Sequence, residues 1–353
     1  MKQLLVLAVL VLLLVSVSDK TQMIWFAVRG LGFLACQALA RPEKEEFLLS
    51  LAAAFASIAA LGIAGFDLAL ACLAFSCFRM RLRKLATLFA MVGMVGALSF
   101  ACNRSLFPFT NRNHYAVFVE LALPLLLFAW RRSHGSRYLM AGAVLLAAAL
   151  AGGSRAGAAI LLSEVALLTL AVGGKKRAVL AIPAVAVCAG FFLLTTGGDR
   201  IAHPFAGDHR REIWKSGLQM VAEKPWSGWG PGEFPRIYPA YASFDNGEFV
   251  NAAHSDWLEW ASEFGILAPL AFGALLARWF RKSIHFYPSW GILMGALHAM
   301  VDFPFHLPGF LVFAAALAGS IDEHGASIET QSSNPEGRDP DLCPKGGFSA
   351  LPC

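Results

Sequence analysis

The chain has 353 residues, of which 57% are hydrophobic and only 15% charged, with a formal net charge of +5. Soluble proteins carry roughly 25% charged residues, and a mean hydropathy of +0.58 leaves too little polar surface to cover two or three globular domains in water. The composition therefore predicts an all-α integral membrane protein. The seven cysteines show no paired spacing, so neither a disulfide framework nor a zinc site is expected.

A bilayer core about 30 Å thick calls for helices of around 20 apolar residues. Twelve candidate transmembrane helices follow in chain order: 3–17, 22–40, 47–63, 66–78, 85–101, 114–130, 138–152, 157–172, 178–195, 258–277, 288–303 and 304–321. The pairs 47–78, 138–172 and 288–321 are each too long for one helix and break at Gly62 to Asp67, Gly152 to Gly157 and Pro304 to Pro308. Basic residues then set the orientation. Lys2, Arg41 and Lys44, Arg79 to Lys84, Arg131 to Arg137, Lys175 to Arg177 and Arg278 to Lys282 all fall on the cytoplasmic side of this arrangement, whereas the short outward loops hold only Lys20, Arg104, Arg112 and Arg155.

The first 20 residues also resemble a secretory signal, with Lys2, an apolar run and a small Ser16-Val17-Ser18 end. A retained first helix agrees better with the charge asymmetry. The expected organisation is nine membrane helices over 1–195, an outward, partly helical loop subdomain over 196–257, three membrane helices over 258–321, and a Pro-, Gly- and Ser-rich cytoplasmic tail over 322–353 that reads as disordered.

Chemistry is expected at the outward face. Arg155 lies in Gly152-Gly153-Ser154-Arg155-Ala156-Gly157, at the tip of a tight hairpin where a helix begins with its positive dipole end outward. The small neighbours would let a large anion approach the backbone; pairing with a phospholipid headgroup is the plainer explanation. Asn111-Arg112-Asn113-His114 opens the next polar cluster, suited to phosphate or sugar hydroxyls, although capping by Asn113 explains it equally well. In the long loop, Arg210 and Trp214 share one helix face and could hold a diphosphate and a sugar ring, or simply form a cation–π pair.

His254, in Ala253-His254-Ser255-Asp256-Trp257, falls where the loop returns to the membrane, just before a helix that Ser255 would cap. A histidine there, with an ordinary pKa near 6.5, could take a proton from a hydroxyl, oriented by Asp256 or Glu259; a plain surface histidine is the alternative. Arg29, Glu120, Glu164 and Asp302 sit in or near apolar spans, where charge costs several kcal/mol unless paired. His298, Asp302 and His306 cluster around the last hairpin. No set has the spacing of a zinc or magnesium site.

Taken in order, these pieces resemble the O-antigen ligase and polysaccharide polymerase superfamily. The resemblance rests on Asn111-Arg112-Asn113-His114-Tyr115-Ala116, Gly153-Ser154-Arg155-Ala156-Gly157, Arg210 with Trp214, Lys224-Pro225-Trp226-Ser227-Gly228-Trp229-Gly230-Pro231-Gly232, His254-Ser255-Asp256-Trp257-Leu258-Glu259, Glu263-Phe264-Gly265 and the stretch from His298 to Pro304. It implies a multi-pass protein of the bacterial inner membrane, with its active site facing the periplasm. It also implies metal-independent, cofactor-free, inverting transfer of a glycan from undecaprenyl diphosphate to an acceptor hydroxyl.

On that resemblance His254 is the general base; Arg155, Arg210, Arg211 and Arg112 hold the diphosphate; and Asn111, Asn113, Trp214, Asp256 and Asp302 contact substrate. Arg211 stands beside Arg210 as a rival for the same role, and the spacing to Trp214 favours Arg210. The implied partners are the lipid-linked glycan, membrane lipids and an acceptor: lipid A–core for a ligase, a second lipid-linked repeat for a polymerase, or a protein hydroxyl. Nothing points to nucleic acid. A transporter of lipid-linked glycans is the rival of a different class, since twelve helices suit it equally, but no paired repeat is apparent.

Overall fold

The computed structural model describes residues 81–333, apart from 110, 178, 180, 203–208, 244–246 and 248. The four expected helices before residue 80, and the tail from 334, lie outside the described residues. Every described element is helical. Ten helices organise the described part: α1 Leu82–Asn103, α2 Arg112–Ser133, α3 Ser136–Ala151, α4 Arg155–Arg177, α5 Ala181–Phe192, α6 Arg210–Glu223, α7 Asp256–Phe264, α8 Leu267–Ser283, α9 Trp290–His298 and α10 Pro308–Ser333.

α1 and α2 are long and apolar enough to cross a membrane, and they differ in burial. The apolar window of α2 is 89% buried and that of α1 only 44%, so α2 is the central helix. Its start is fixed by Asn111, whose extended backbone turns its side chain to accept from the Asn113 N–H at 3.0 Å. The capping residue is thus Asn111, not Asn113. α2 stops where His134 takes a left-handed conformation, with Arg131 and Arg132 in the last turn favouring the negative end of the helix dipole.

Inside α2, Pro124 cannot donate to the carbonyl of Glu120 and pushes that turn open. α9 lies against this place: a Cβ on Gly291 would stand 2.8 Å from the Glu120 carbonyl oxygen. One turn on, a Cβ on Gly295 would stand 2.9 Å from the Phe310 ring. Phe89, Phe118 and Phe313 interlock edge-on or stacked, tying α1, α2 and α10 into one core.

The α3–α4 hairpin breaks where the glycines predicted it. Gly153 takes φ 74, Ser154 Oγ accepts from the Gly157 N–H at 3.0 Å, and a Cβ on Gly157 would lie 2.4 Å from the Ala116 Cβ. The small residues around Arg155 therefore have a packing reason: they let the start of α4 touch the first turn of α2.

Three boundaries differ from the sequence reading. The span expected over 258–277 is two helices, α7 and α8, parted at Gly265, where φ is 84 and a Cβ would lie 2.2 Å from the Trp226 carbonyl oxygen. The span expected over 288–303 ends at His298, leaving 299–307 as a loop. α10 continues past 321 to Ser333, so 322–333 is helical and not the start of a tail.

Between α5 and α8 lies the long hydrophilic segment, with a small core of its own. Ile213 and Met220 from α6 pack with Phe234, Tyr238 and Ala253, and Trp229 and Leu258 close around them. Trp229 donates its indole N–H to the Met220 carbonyl at 3.0 Å. The backbone of 228–230 is pinned to the end of α7: Trp229 N to Ser262 O and Gly230 N to Glu263 O, both at 2.9 Å. A Cβ on Gly228 would lie 2.3 Å from Glu263, so only glycine fits this crossing. The subdomain thus extends through α7 to Phe264, beyond the boundary expected at 257.

Candidate functional site

The loop 299–307, between α9 and α10, is the seat on which the hydrophilic subdomain rests. Asp256, the first residue of α7, donates its backbone N–H to the carbonyls of Ala299, at 2.9 Å, and Asp302, at 3.1 Å. Its carboxylate accepts from the Phe305 N–H at 2.8 Å and pairs with His306 Nδ1. His306 Nε2 in turn lies 3.3 Å from Glu259 Oε1, and the other oxygen of Glu259 accepts from the Ala253 N–H at 2.7 Å. Burial opposes charge on His306, but Glu259 and Asp256 outweigh it and push the imidazolium up to about 10.

This network fixes His254. The residue takes φ 51, a backbone conformation rare for a bulky side chain outside helix ends. Trp214 Nε1 donates to its carbonyl at 3.3 Å, Ser255 next to it caps α7 through Leu258 N, and Phe303 lies edge-on to its ring at 5.2 Å. Nδ1 faces Asp302 Oδ1 at 3.8 Å, longer than a hydrogen bond, as catalytic contacts often are without substrate. The ring remains 29% exposed, so it meets both the buried carboxylate and the outside.

Asp302 is almost fully buried. Burial alone would push its pKa up, yet the His254 imidazole and the Arg210 guanidinium hold it below the usual carboxylate range. Arg210 donates to the Val301 carbonyl at 2.7 Å and stands 3.9 Å from Asp302 Oδ2. α6 and loop 299–307 are thus joined by one side chain across a sequence separation of 91 residues. Arg211, the next residue, is exposed.

The remaining predicted residues group around the start of α2. Asn113 and His114 are buried, Arg112 is exposed and Asn111 is the half-buried cap. The His114 ring meets Phe303 edge-on at 5.4 Å, so two imidazoles, His114 and His254, flank the same phenyl ring. Arg155, half-buried, enters this neighbourhood through the Gly157–Ala116 contact.

The fold gives several of the predicted residues definite neighbours. Asp256 is fully buried with its carboxylate engaged by Phe305 and His306, and so braces the loop. Asp302 is the carboxylate beside His254, and Trp214 holds backbone there. Phe303 was not singled out by the sequence, and His306, noted with His298 and Asp302 around the last hairpin, was given no role. The four-residue spacing of His298, Asp302 and His306 was the available signal, but Phe303 carried none.

Chemically, a carboxylate-backed imidazole can accept a proton from a hydroxyl, and guanidinium groups beside it can hold an anionic group. Among the described residues no three His, Cys, Asp or Glu side chains are grouped to hold a metal ion.

The described fold is thus that of a helical membrane-associated protein with a polar cluster where a hydrophilic subdomain meets the helix ends. Residues 140–273 match the family model described as O-Antigen ligase. That match supports similarity to the O-antigen ligase superfamily over a stretch that includes Arg155, Arg210, Trp214, His254 and Asp256, while the Asn111–His114 segment and Asp302 lie outside it. No curated protein gives a match.

Proposed function

We propose that the protein is a membrane glycosyltransferase that moves a glycan from undecaprenyl diphosphate to an acceptor hydroxyl at the periplasmic face of the inner membrane. The observation that carries this reading is the convergence of His254, Asp302 and Arg210, within a chain whose residues 140–273 resemble an O-antigen ligase domain. The acceptor hydroxyl gives its proton to His254 Nε2 while Nδ1–H points at Asp302. The acceptor oxygen forms a bond to the anomeric carbon from the face opposite the diphosphate. The bond from that carbon to the diphosphate oxygen breaks, its electron pair leaving with the phosphate, and the configuration inverts.

Negative charge then grows on an already anionic leaving group. Arg155 and Arg210 stabilise it, and Arg112 and Arg211 add positive potential around it. Each charge-assisted hydrogen bond is worth about 1.5–3 kcal/mol. Holding the hydroxyl in line supplies much of the remaining acceleration. Asn111 and Asn113 are assigned to sugar hydroxyls. The chemistry requires no metal or cofactor.

Lipid A–core is the preferred acceptor, because the matching family model is described as O-Antigen ligase; a second lipid-linked repeat and a protein hydroxyl are the alternatives. The test offers all three acceptors in parallel to purified protein in liposomes with undecaprenyl-diphosphate glycan. Transfer to lipid A–core alone is expected. Transfer to another acceptor would reassign the branch. Absence of transfer to any, accompanied by gradient-driven movement of the lipid-linked glycan, would replace the enzyme by a transporter.

A further inference from the structure

We propose that Glu120, through its buried contact with His298, positions the loop that carries Asp302 and is thereby a positioning residue for the transfer reaction; the catalytic consequence rests on the function proposed above. Glu120 lies in α2 and His298 is the last residue of α9, and both are fully buried. Glu120 Oε1 and His298 Nδ1 are 2.8 Å apart.

The rest of the α2–α9 contact brings the helices close: Gly291 meets α2 backbone, and Gly295 lies near Val117. The Glu120–His298 hydrogen bond adds a directional side-chain contact between the two helices, at the end of α9 from which the loop departs.

The backbone then passes that position to the site. The His298 carbonyl accepts from Val301 N at 2.9 Å and from Asp302 N at 3.0 Å. The Val301 carbonyl takes the Arg210 guanidinium at 2.7 Å, and the Asp302 carboxylate faces both Arg210 and His254. A shift of His298 therefore moves the two groups that hold Arg210 and the one that backs His254. A misplacement of about 1 Å is enough to cost two orders of magnitude in a preorganised site.

Packing alone does not account for the pair. An apolar pair of equal volume often holds two helices as well as a buried ion pair does, because desolvation cancels much of the attraction. Glu164 of α4 adds a second buried carboxyl that interacts with Glu120, with neither of its oxygens hydrogen-bonded among the described residues. A polar contact at this cost, placed where the loop begins, serves the position of the loop.

The experiment is a double-mutant cycle on transfer, with folding checked by thermal unfolding. Glu120→Leu is expected to lower kcat at least about tenfold with KM changed by less than about twofold. Glu120→Gln, which keeps an oxygen acceptor for Nδ1–H, retains most of the rate. In an Asp302→Asn background, Glu120→Leu costs less than in the wild type, because part of its effect runs through Asp302.

Wild-type kcat in folded Glu120→Leu, or a full additive loss in the Asp302→Asn background, would overturn the proposal. If Glu120→Leu does not fold, His298→Asn and His298→Leu make the same comparison: Asn keeps an N–H near the Nδ1 position and retains activity, and equal rates in the two would overturn it. Amide exchange at Val301 and Asp302 reads the positioning without any catalysis. It should quicken when the pair is broken, and unchanged exchange would count against the proposal even if wild-type protein transferred no glycan. Absence of transfer by the wild type would instead refute the functional reading alone.

Discussion

The two sides of the polar cluster are built in different ways. On one side, Asn111 to His114 and Ser154 with Arg155 stand at the starts of α2 and α4, each set by a local cap within three residues. On the other, Arg210, His254 and Asp302 come from α6, the end of the long hydrophilic segment and the loop after α9, and meet only through tertiary contacts. Local capping makes the first side robust to small shifts elsewhere. The second depends on how the subdomain sits on 299–307, so it is the side where a distant change can alter the chemistry.

If the second side carries the proton transfer, His254→Ala should cause the largest loss, on the order of 10²–10⁴ in transfer rate, with folding intact. Arg155→Ala tests whether the first side shares the work: a fall of about 10²–10³ is expected, with Arg155→Lys retaining part of the rate. Full activity in Arg155→Ala would remove that side from the mechanism. Arg210 and Arg211 give the sharpest contrast between neighbours. Arg210→Ala should cost about 10–100-fold, and Arg211→Ala less than about twofold, in the same assay. The reverse order would move the anion contact to Arg211.

Two smaller effects concern the seat itself. Gly265→Ala should lower stability by about 1–3 kcal/mol and expose the α7–α8 junction to protease, since the new Cβ would meet the Trp226 carbonyl at a positive φ. The His306 contact adds a pH dependence. Its pKa is raised to about 10 by Glu259 and Asp256 against the opposing effect of burial, so its contribution is complete below the ordinary histidine value near 6.5 and is lost as pH rises through about 10. The protection of amides in 299–307, taken relative to their intrinsic exchange at each pH, should therefore fall on going to strongly alkaline pH in the wild type and change little in His306→Gln.

What could be read from the sequence follows the same division. The break at Gly152 to Gly157 and the cap at Ser255 were legible because each depends on a few neighbouring residues, and the starts of α2 and α4 fell close to Arg112 and Arg155 for the same reason. The break at Gly265 was not, because the apolar pattern runs through it; the reason for the glycine is Trp226, on another segment. Asp302 was visible as an unusual charge near an apolar run, but its partners lie 48 and 92 positions upstream at His254 and Arg210. Asp256 was read as an active carboxylate because it stands two residues from His254, whereas the fold turns it toward Phe305 and His306. Those partners lie across the loop, where the local sequence does not display them.

The central claim is that His254, backed by Asp302, accepts the proton from the acceptor. Its most direct test is the single-turnover rate of glycan transfer in liposomes for wild type, Asp302→Asn and His254→Ala between about pH 5 and 8. The account predicts a wild-type rate that falls on acidification, a slower Asp302→Asn enzyme, and a His254→Ala enzyme with only a pH-independent residue of activity. A flat wild-type profile, or wild-type rates in His254→Ala, would contradict it.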